Sequence, residues 1–485
     1  MKISDYGLHW FRRDLKVKGN PALTANLNKH QGRVLGLFCF DHVFLARKDF
    51  SVNRFQFFLH TLKELKAELN REGGDLLVLD SGPLFAYEQL FSSLKQKTIS
   101  LPKTVSWNRD YEPFAIDRDR KMLHWFQQQG IASLVERDHL IIEPQEIYKG
   151  EDPSSTYQVF TPFKKKWLEK FETDEIQSRL KITRSIPFQM TWRDLFPGQA
   201  QLTDVLEAYI KNNQQRVTVP IPLAGTYAGI KAIELFKSKV KNYGKQRDIP
   251  SAAGTSRFSL FFKNGSLTTS QVIREMGLQN KSCWTEGQEK FVSEIIWREF
   301  YYYILARHPR VEKEAFVEKY KEIKWKNNEE WFVAWKEGKT GFPIVDAGMR
   351  ELNQTGWMHN RVRMIVASFL TKDLHIDWRW GEQYFMEKLL DGDLAPNNGG
   401  WQWAASTGSD PQPYFRVFNP YLQSQKFDPE GAYIKTYIPE LRHCNAKTIH
   451  EPPCDLMNRD YPAPMVDHSI QRQEALALYK FLGGD

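Results

Sequence analysis

Side chains able to do chemistry are densest in Asp391-Gly-Asp-Leu-Ala-Pro-Asn-Asn-Gly-Gly-Trp-Gln-Trp403. Thirteen residues hold two carboxylates, three carboxamides, three glycines and two indoles, a mixture that no helical or strand period explains. Carboxylates and amides suit hydrogen bonds to a polar ligand. Bare glycines let a flat ring approach the backbone, and paired tryptophans offer stacking faces. A tight turn followed by a buried helix would account for the glycines. It leaves Asn397, Asn398 and the doubled tryptophan without a reason, so the stretch is read as part of a site.

Further clusters lie in the same half of the chain. Gly254-Thr-Ser-Arg-Phe-Ser259, following Tyr243 and Arg247, sets hydroxyls and an Arg before a helical run, which suits a pyrophosphate; helix capping would use the same residues. Over 287–307, Glu294, Trp297 and Tyr301 fall on one helical face. A carboxylate between stacking aromatics could receive an N–H from a base, although an aromatic core stripe with Glu294 at its rim has the same spacing. In Gly356-Trp-Met-His-Asn-Arg-Val-Arg-Met364, Asn360, Arg363 and Met364 share a face, with Arg361 on another side. An Arg in so apolar a helix (Ile365, Val366, Phe369, Leu370) needs a partner, because a lone buried charge is costly. Asp391 and Asp393 are the candidates. Trp325, Trp378 and Trp380 add indoles, and a row of these oxidisable rings could pass electrons; core packing is the default for each. The chain has no H-E-x-x-H, no G-x-S-x-G and no P-loop, so nothing points to hydrolysis, phosphoryl transfer or a metal.

The elements that must position these groups divide the 485 residues into more than one core. Hydrophobic content of 41% and charged content of 26% are those of a globular chain. Aromatic residues make up 14%, which suits planar ligands or bases, and a net charge of +8 leans toward a polyanionic partner. Cys39, Cys283, Cys444 and Cys454 are scattered, against a zinc site or disulfide framework. With no apolar run resembling a signal peptide or membrane span, a cytoplasmic protein without a membrane partner is expected. Short apolar runs at 6–11, 33–41, 75–80, 103–108 and 131–136 alternate with helical patterns and predict an α/β domain over 1–136 with a doubly wound, Rossmann-like parallel sheet. No G-x-G-x-x-G follows the first strand, which runs instead into Arg12-Arg13-Asp14; ligands of such sheets sit beyond the strands' carboxyl ends, where Asn108 and Glu112 also fall. Residues 137–205 lose periodicity and read as a connector. From 206 to 485 the signals are almost entirely helical, predicting a larger all-α domain with helices near 226–243, 267–276, 287–307, 328–336, 343–353, 357–373 and 379–390.

Glu294-Ile-Ile-Trp-Arg-Glu-Phe300, Gly338-Lys-Thr-Gly-Phe-Pro-Ile-Val-Asp346, Thr355 through Met364 and Asp391 through Gly408, in this order, resemble the photolyase/cryptochrome flavoproteins, closest to the bacterial class I cyclobutane pyrimidine dimer branch. The resemblance spans nearly the whole chain. It implies an antenna domain followed by a helical domain that binds FAD and DNA. FAD would be held by Tyr243, Thr255, Ser256, Arg257, Phe258, Ser259, Asn360, Arg363, Asp391, Gly392, Asp393 and Asn397, the last beside flavin N5. Trp401, Trp378 and Trp325 match a photoreduction chain, outward from the flavin. Arg247, Glu294, Trp297, Met364 and Trp403 match the damaged-base pocket, and Arg361 a DNA contact. Glu112, Lys313 and His42 match an antenna site for methenyltetrahydrofolate, with a deazaflavin as the alternative. The implied reaction is light-driven: FADH− gives an electron to a flipped-out dimer in ultraviolet-damaged DNA, the cyclobutane splits, and the electron returns. A blue-light receptor of the cryptochrome type is the alternative function, and a monomer is the expected state. Phe291 stands where some relatives carry Trp. Pro396 stands before Asn397 where a small residue is usual, so a local change of backbone is expected there.

Overall fold

A computed structural model describes residues 5–196, 205–452 and 461–480; Cys454 lies outside them. Five strands, β1 (Gly7–Phe11), β2 (Val34–Cys39), β3 (Leu76–Leu79), β4 (Thr104–Asn108) and β5 (Ala132–Glu136), form one sheet in the order β3-β2-β1-β4-β5. All pairings are parallel, with Gly7 opposite both Val34 and Thr104. The first four strands are buried along their whole length, as expected of strands covered by helices on both faces, so they read as unbroken apolar runs. The order reverses direction at β1, which puts a crevice at the carboxyl ends of β1, β2 and β4.

The rest of the chain is helical, and its longest helix is Glu286–Arg307. Thr285 and Gln288 form a capping box at its start. Around it lie Pro343–Thr355, Asn360–Ser368, Trp378–Lys388 and Leu394–Ala404. The run expected over 357–373 starts at Asn360, and its last five residues, Phe369–Asp373, wind as a π-helical turn. Short helices at Pro420–Phe427 and Ala432–Tyr437 were not legible, being too brief to show a period. Pro396 occupies the third position of Leu394–Ala404. Its missing N–H falls in the first turn, where no helical acceptor is available anyway. Asn397 N bonds Asp393 O at 3.0 Å, so the helix runs on through the proline.

Residues 137–205 contain helices at Phe160–Phe171, Asp174–Arg179 and Trp192–Leu195. Trp167 and Phe171 pack in the core around Glu286–Arg307, whereas Trp192 and Phe196 pack against the sheet. Trp167 Nε1 donates to buried Glu299 at 2.7 Å. Among the described residues no helix is long and apolar enough to cross a membrane.

Candidate cofactor and substrate site

The segment Leu389–Asp393 joins Trp378–Lys388 to Leu394–Ala404 and carries the carboxylates that the sequence singles out. Asp391 is buried and meets Arg363, whose Nη2 lies 2.9 and 3.1 Å from its two oxygens. Ser259 Oγ donates to the same carboxylate at 2.7 Å, and Arg363 Nε donates to Met358 O at 2.8 Å. The charge in an apolar helix therefore has its counter-charge, and the pair draws three distant elements to one point. Asp393 behaves differently. Its carboxylate turns to Tyr302 (2.6 Å), Arg13 (3.0 Å) and Lys263 (3.2 Å), of which only Arg13 belongs to the α/β domain.

The tandem asparagines divide their work. Asn397 Nδ2 donates to Glu382 O at 3.0 Å, which fixes the plane of the amide and leaves its oxygen for another donor. Asn398 is buried; its Nδ2 donates to Glu382 Oε1 and Val311 O, each at 3.0 Å, and its oxygen accepts from Gln402 at 3.1 Å. Burial pushes the Glu382 carboxyl up to about 8, so the folded chain holds it neutral while an unfolded glutamate ionises near 4.5. The stability it lends is full below about 4.5 and is lost as pH rises toward about 8. Glu382→Gln should flatten the fall in thermal midpoint between roughly pH 6 and 8, a window worth up to about 3 kcal/mol. An unchanged pH slope in the variant contradicts the assignment.

Trp401 is buried, edge-on to Phe385 (4.9 Å) and Trp335 (6.0 Å). It lies flush against the helix Trp378–Lys388, where a Cβ on Gly381 would sit 2.1 Å from Trp401 Cη2. Trp378 is buried at the start of that helix, and Trp325 is half-buried beside Tyr479 at 6.4 Å. Neither is in direct ring contact with Trp401. Trp335, which is, carries no signal in sequence beyond an aromatic stripe.

On Glu286–Arg307, Glu294, Trp297 and Tyr301 do share a face. Glu294 pairs with Arg247 at 2.6 Å, Trp297 stacks on Phe160 with centroids 3.6 Å apart, and Tyr301 lies against the opening helix of the site, where a Cβ on Gly399 would come within 2.0 Å of its ring. Arg361 pairs with Asp248 at 2.8 Å and lies over Phe427. Met364 and Trp403 are half-buried, the latter beside Phe418. Tyr243 and Phe258 are buried, both against Phe291, and Arg247 lies over the Tyr243 ring. Thr255 and Ser256 are half-buried. Arg257 is exposed with φ +53° and sits over Trp357 at 4.1 Å, and Asn360 is exposed.

A cavity of about 170 Å³ opens at the crevice of the sheet; a water needs roughly 10–15 Å³, so the space is sized for an organic molecule. Trp10, Phe38, Phe40 and Phe55 line it with Arg13 and Arg54. Glu112 lies on its wall, bound to Arg13 at 2.6 Å. His42 is exposed and pairs with Asp80 at 2.8 Å, and Lys313 is exposed. Glu112, Lys313 and His42 share no hydrogen bond.

The sequence profile of DNA photolyase matches residues 7–181, and that of the FAD binding domain of DNA photolyase matches 291–481. A deoxyribodipyrimidine photo-lyase of Vibrio cholerae is 39% identical, over 98% of this chain and 100% of its own. The chain belongs to the DNA photolyase family. Among solved structures, a bacterial class III photolyase from Agrobacterium tumefaciens superposes with a TM-score of 0.81 at 31% identity, covering 99% of this chain and 98% of that one. An archaeal photolyase from Sulfolobus tokodaii with two FAD molecules gives 0.78 at 31%, covering 98% and 100%.

A photolyase of this family holds FAD, and the residues present fit it. Asn397 offers an amide oxygen already fixed in orientation, and Gly400, one turn on, has open space where a Cβ would stand. Ser259 and Arg363 converge on Asp391, six residues before Asn397. Four groups around the site were missed in the sequence. Arg54, Lys263 and Tyr302 come from other elements, and Glu382 reads as an ordinary helix-surface charge until its burial is seen.

Proposed function

We propose that this chain repairs cyclobutane pyrimidine dimers in ultraviolet-damaged DNA, as a light-driven deoxyribodipyrimidine photo-lyase. The observation that carries the reading is one helix serving two sites. Leu394–Ala404 carries Asn397, bonded to Glu382 O, and Trp401, packed on Gly381, both of which we assign to the cofactor, and through Gly399 it rests on Tyr301, one turn from Trp297 and two from Glu294. A dimer held by Glu294, Trp297, Met364 and Trp403 would therefore lie beside the flavin. Bound FAD, as FADH−, supplies the excited electron donor.

The chain's own groups do the rest. Arg361 and the net positive charge engage phosphates, which makes binding salt-dependent. Trp297 offers a stacking face to a base taken out of the duplex, a step the lesion eases because its stacking is already weakened. Glu294, oriented by Arg247, accepts a base N–H. Asn397 and the neutral Glu382 bring no negative charge to the flavin edge, which suits a site that keeps the anionic reduced form. Trp401, Trp378 and Trp325 supply reducing electrons from the surface. Full-length relatives bearing the photo-lyase name favour repair over the receptor alternative. The test is dimer loss from irradiated duplex DNA under blue light, with none in the dark.

For the antenna, the cavity supports a planar aromatic ring, a deazaflavin or a flavin, over the folate. Its walls are aromatic, and Arg54 is a buried cation that donates only to main-chain carbonyls, so burial pulls its guanidinium down to about 10. A ligand anion would relieve that cost. His42 and Lys313 lie outside the cavity lining. The second FAD of the Sulfolobus tokodaii photolyase is a precedent for a flavin in a light-harvesting role.

A further inference from the structure

Two guanidinium groups on the cavity wall bond the segment Leu389–Asp393 and the turn before it at residues other than Asp391, which Arg363 holds. Arg54, on the helix Val52–Arg71, donates to Met386 O and Leu389 O, at the end of Trp378–Lys388. Gly392 makes room for it, since a Cβ there would lie 2.5 Å from Arg54 Nη1. Arg13, just beyond β1, divides its two terminal nitrogens. Nη1 holds Glu112 on the cavity wall at 2.6 Å, and Nη2 holds Asp393 at 3.0 Å and Tyr302 Oη at 2.8 Å. Tyr302 Oη in turn donates to both Asp393 oxygens, at 2.7 and 2.6 Å.

Asp393 stands at the cap position of Leu394–Ala404 yet makes no side-chain bond to its own helix. Burial would raise its pKa, but Arg13 first, with Lys263 and Arg298, holds it well below the ordinary carboxylate range. The carboxylate is thus a committed anion that ties Arg13 of the α/β domain to Tyr302 and Lys263 of the helical one. An ion cluster serving only to join two domains would scatter its bonds over the interface. These bonds fall on the two ends of one short segment whose middle, Asp391, faces the cofactor site.

We propose that Arg13 and Arg54 are positioning residues for the flavin, setting where Asp391 and Asn397 stand by holding Asp393 and the carbonyls of Met386 and Leu389 from the second-chromophore cavity. The proposal rests on FAD binding at Asp391 and Asn397. It makes the wall of one chromophore site a mechanical support of the other.

The test uses the FAD-loaded full chain, with Arg13→Gln, Asp393→Asn, Tyr302→Phe and Arg13→Lys. The readouts are FAD affinity, flavin midpoint potential, the resolved structure of the flavin absorption bands, and thermal midpoint. Arg13→Gln and Asp393→Asn should each weaken FAD binding about 2- to 30-fold and move the bands and the potential in one direction. Their double variant should fall short of the sum. Arg13→Lys should restore most of the wild-type signature, and Tyr302→Phe should shift it less, in the same direction. Variants that melt earlier while spectrum, potential and affinity stay as in the wild type would overturn the proposal, leaving only a join between domains. Should the charge variants not fold, Tyr302→Phe, which removes a single hydroxyl, decides alone. A wild-type chain that takes up no FAD would instead overturn the reading on which the proposal stands.

Discussion

Asp391→Asn should strip the chain of FAD. The substitution keeps the shape and removes the charge, leaving Arg363 with only carbonyl and amide acceptors. Breaking a buried ion pair from one side costs about 3–5 kcal/mol; Arg363 is 24% exposed, so screening brings the expectation to about 2–3 kcal/mol. Part of that falls on the fold and part on the cofactor, because a freed Arg363 must seek water through the flavin site and Ser259 loses its charged acceptor. A fall of about 30- to 150-fold in FAD affinity corresponds to the whole sum. The ratio of flavin to protein absorbance after gel filtration reads it directly. Full retention of FAD with an unchanged thermal midpoint would show that the pair does not support the cofactor.

Trp401→Phe should separate photoreduction from repair. Its indole N–H is buried without a hydrogen-bond partner, so Phe forfeits packing against Gly381, Trp335 and Phe385 but no bond. The cost to the fold should be modest, about 1–2 kcal/mol. The chemical change is large, since a readily oxidised ring gives way to an inert one. Light-driven reduction of oxidised flavin should slow roughly tenfold or more, an added barrier of about 1.4 kcal/mol. Protein reduced chemically beforehand should still repair. Collapse of both activities would remove Trp401 from the reduction path and make it a support for the active site.

Much of this was legible in the sequence because periodicity fixes which side chains share a face. All five strands lie within two residues of the apolar runs that predicted them, the first four because they are buried along their whole length. The face holding Glu294, Trp297 and Tyr301 follows from helical spacing, and Arg363 announced its need for Asp391 by being charged among apolar neighbours. Partners that arrive from other elements leave no such trace. The resemblance placed Asp393 among the groups around the flavin, and nothing in the sequence tied it to Arg13, which lies 380 positions away and meets it only through the docking of the two domains. Glu382 looks like one more charge on an amphipathic helix until burial makes it neutral. Of the three residues matched to an antenna site by position, Glu112 lies on the wall of the cavity at the ends of β1, β2 and β4, and His42 and Lys313 do not line it.

The central claim is that a reduced flavin at Asp391 and Asn397 repairs a dimer bound at Glu294 and Trp297. The most direct measurement uses a duplex oligonucleotide with a single thymine dimer, incubated with chemically reduced, FAD-loaded protein. Samples split between blue light and darkness are analysed by chromatography for intact dimer. The dimer should disappear under light, stop disappearing when the lamp is shut off, and persist in the dark. Persistence under light with the flavin reduced, or equal loss in darkness, would contradict it.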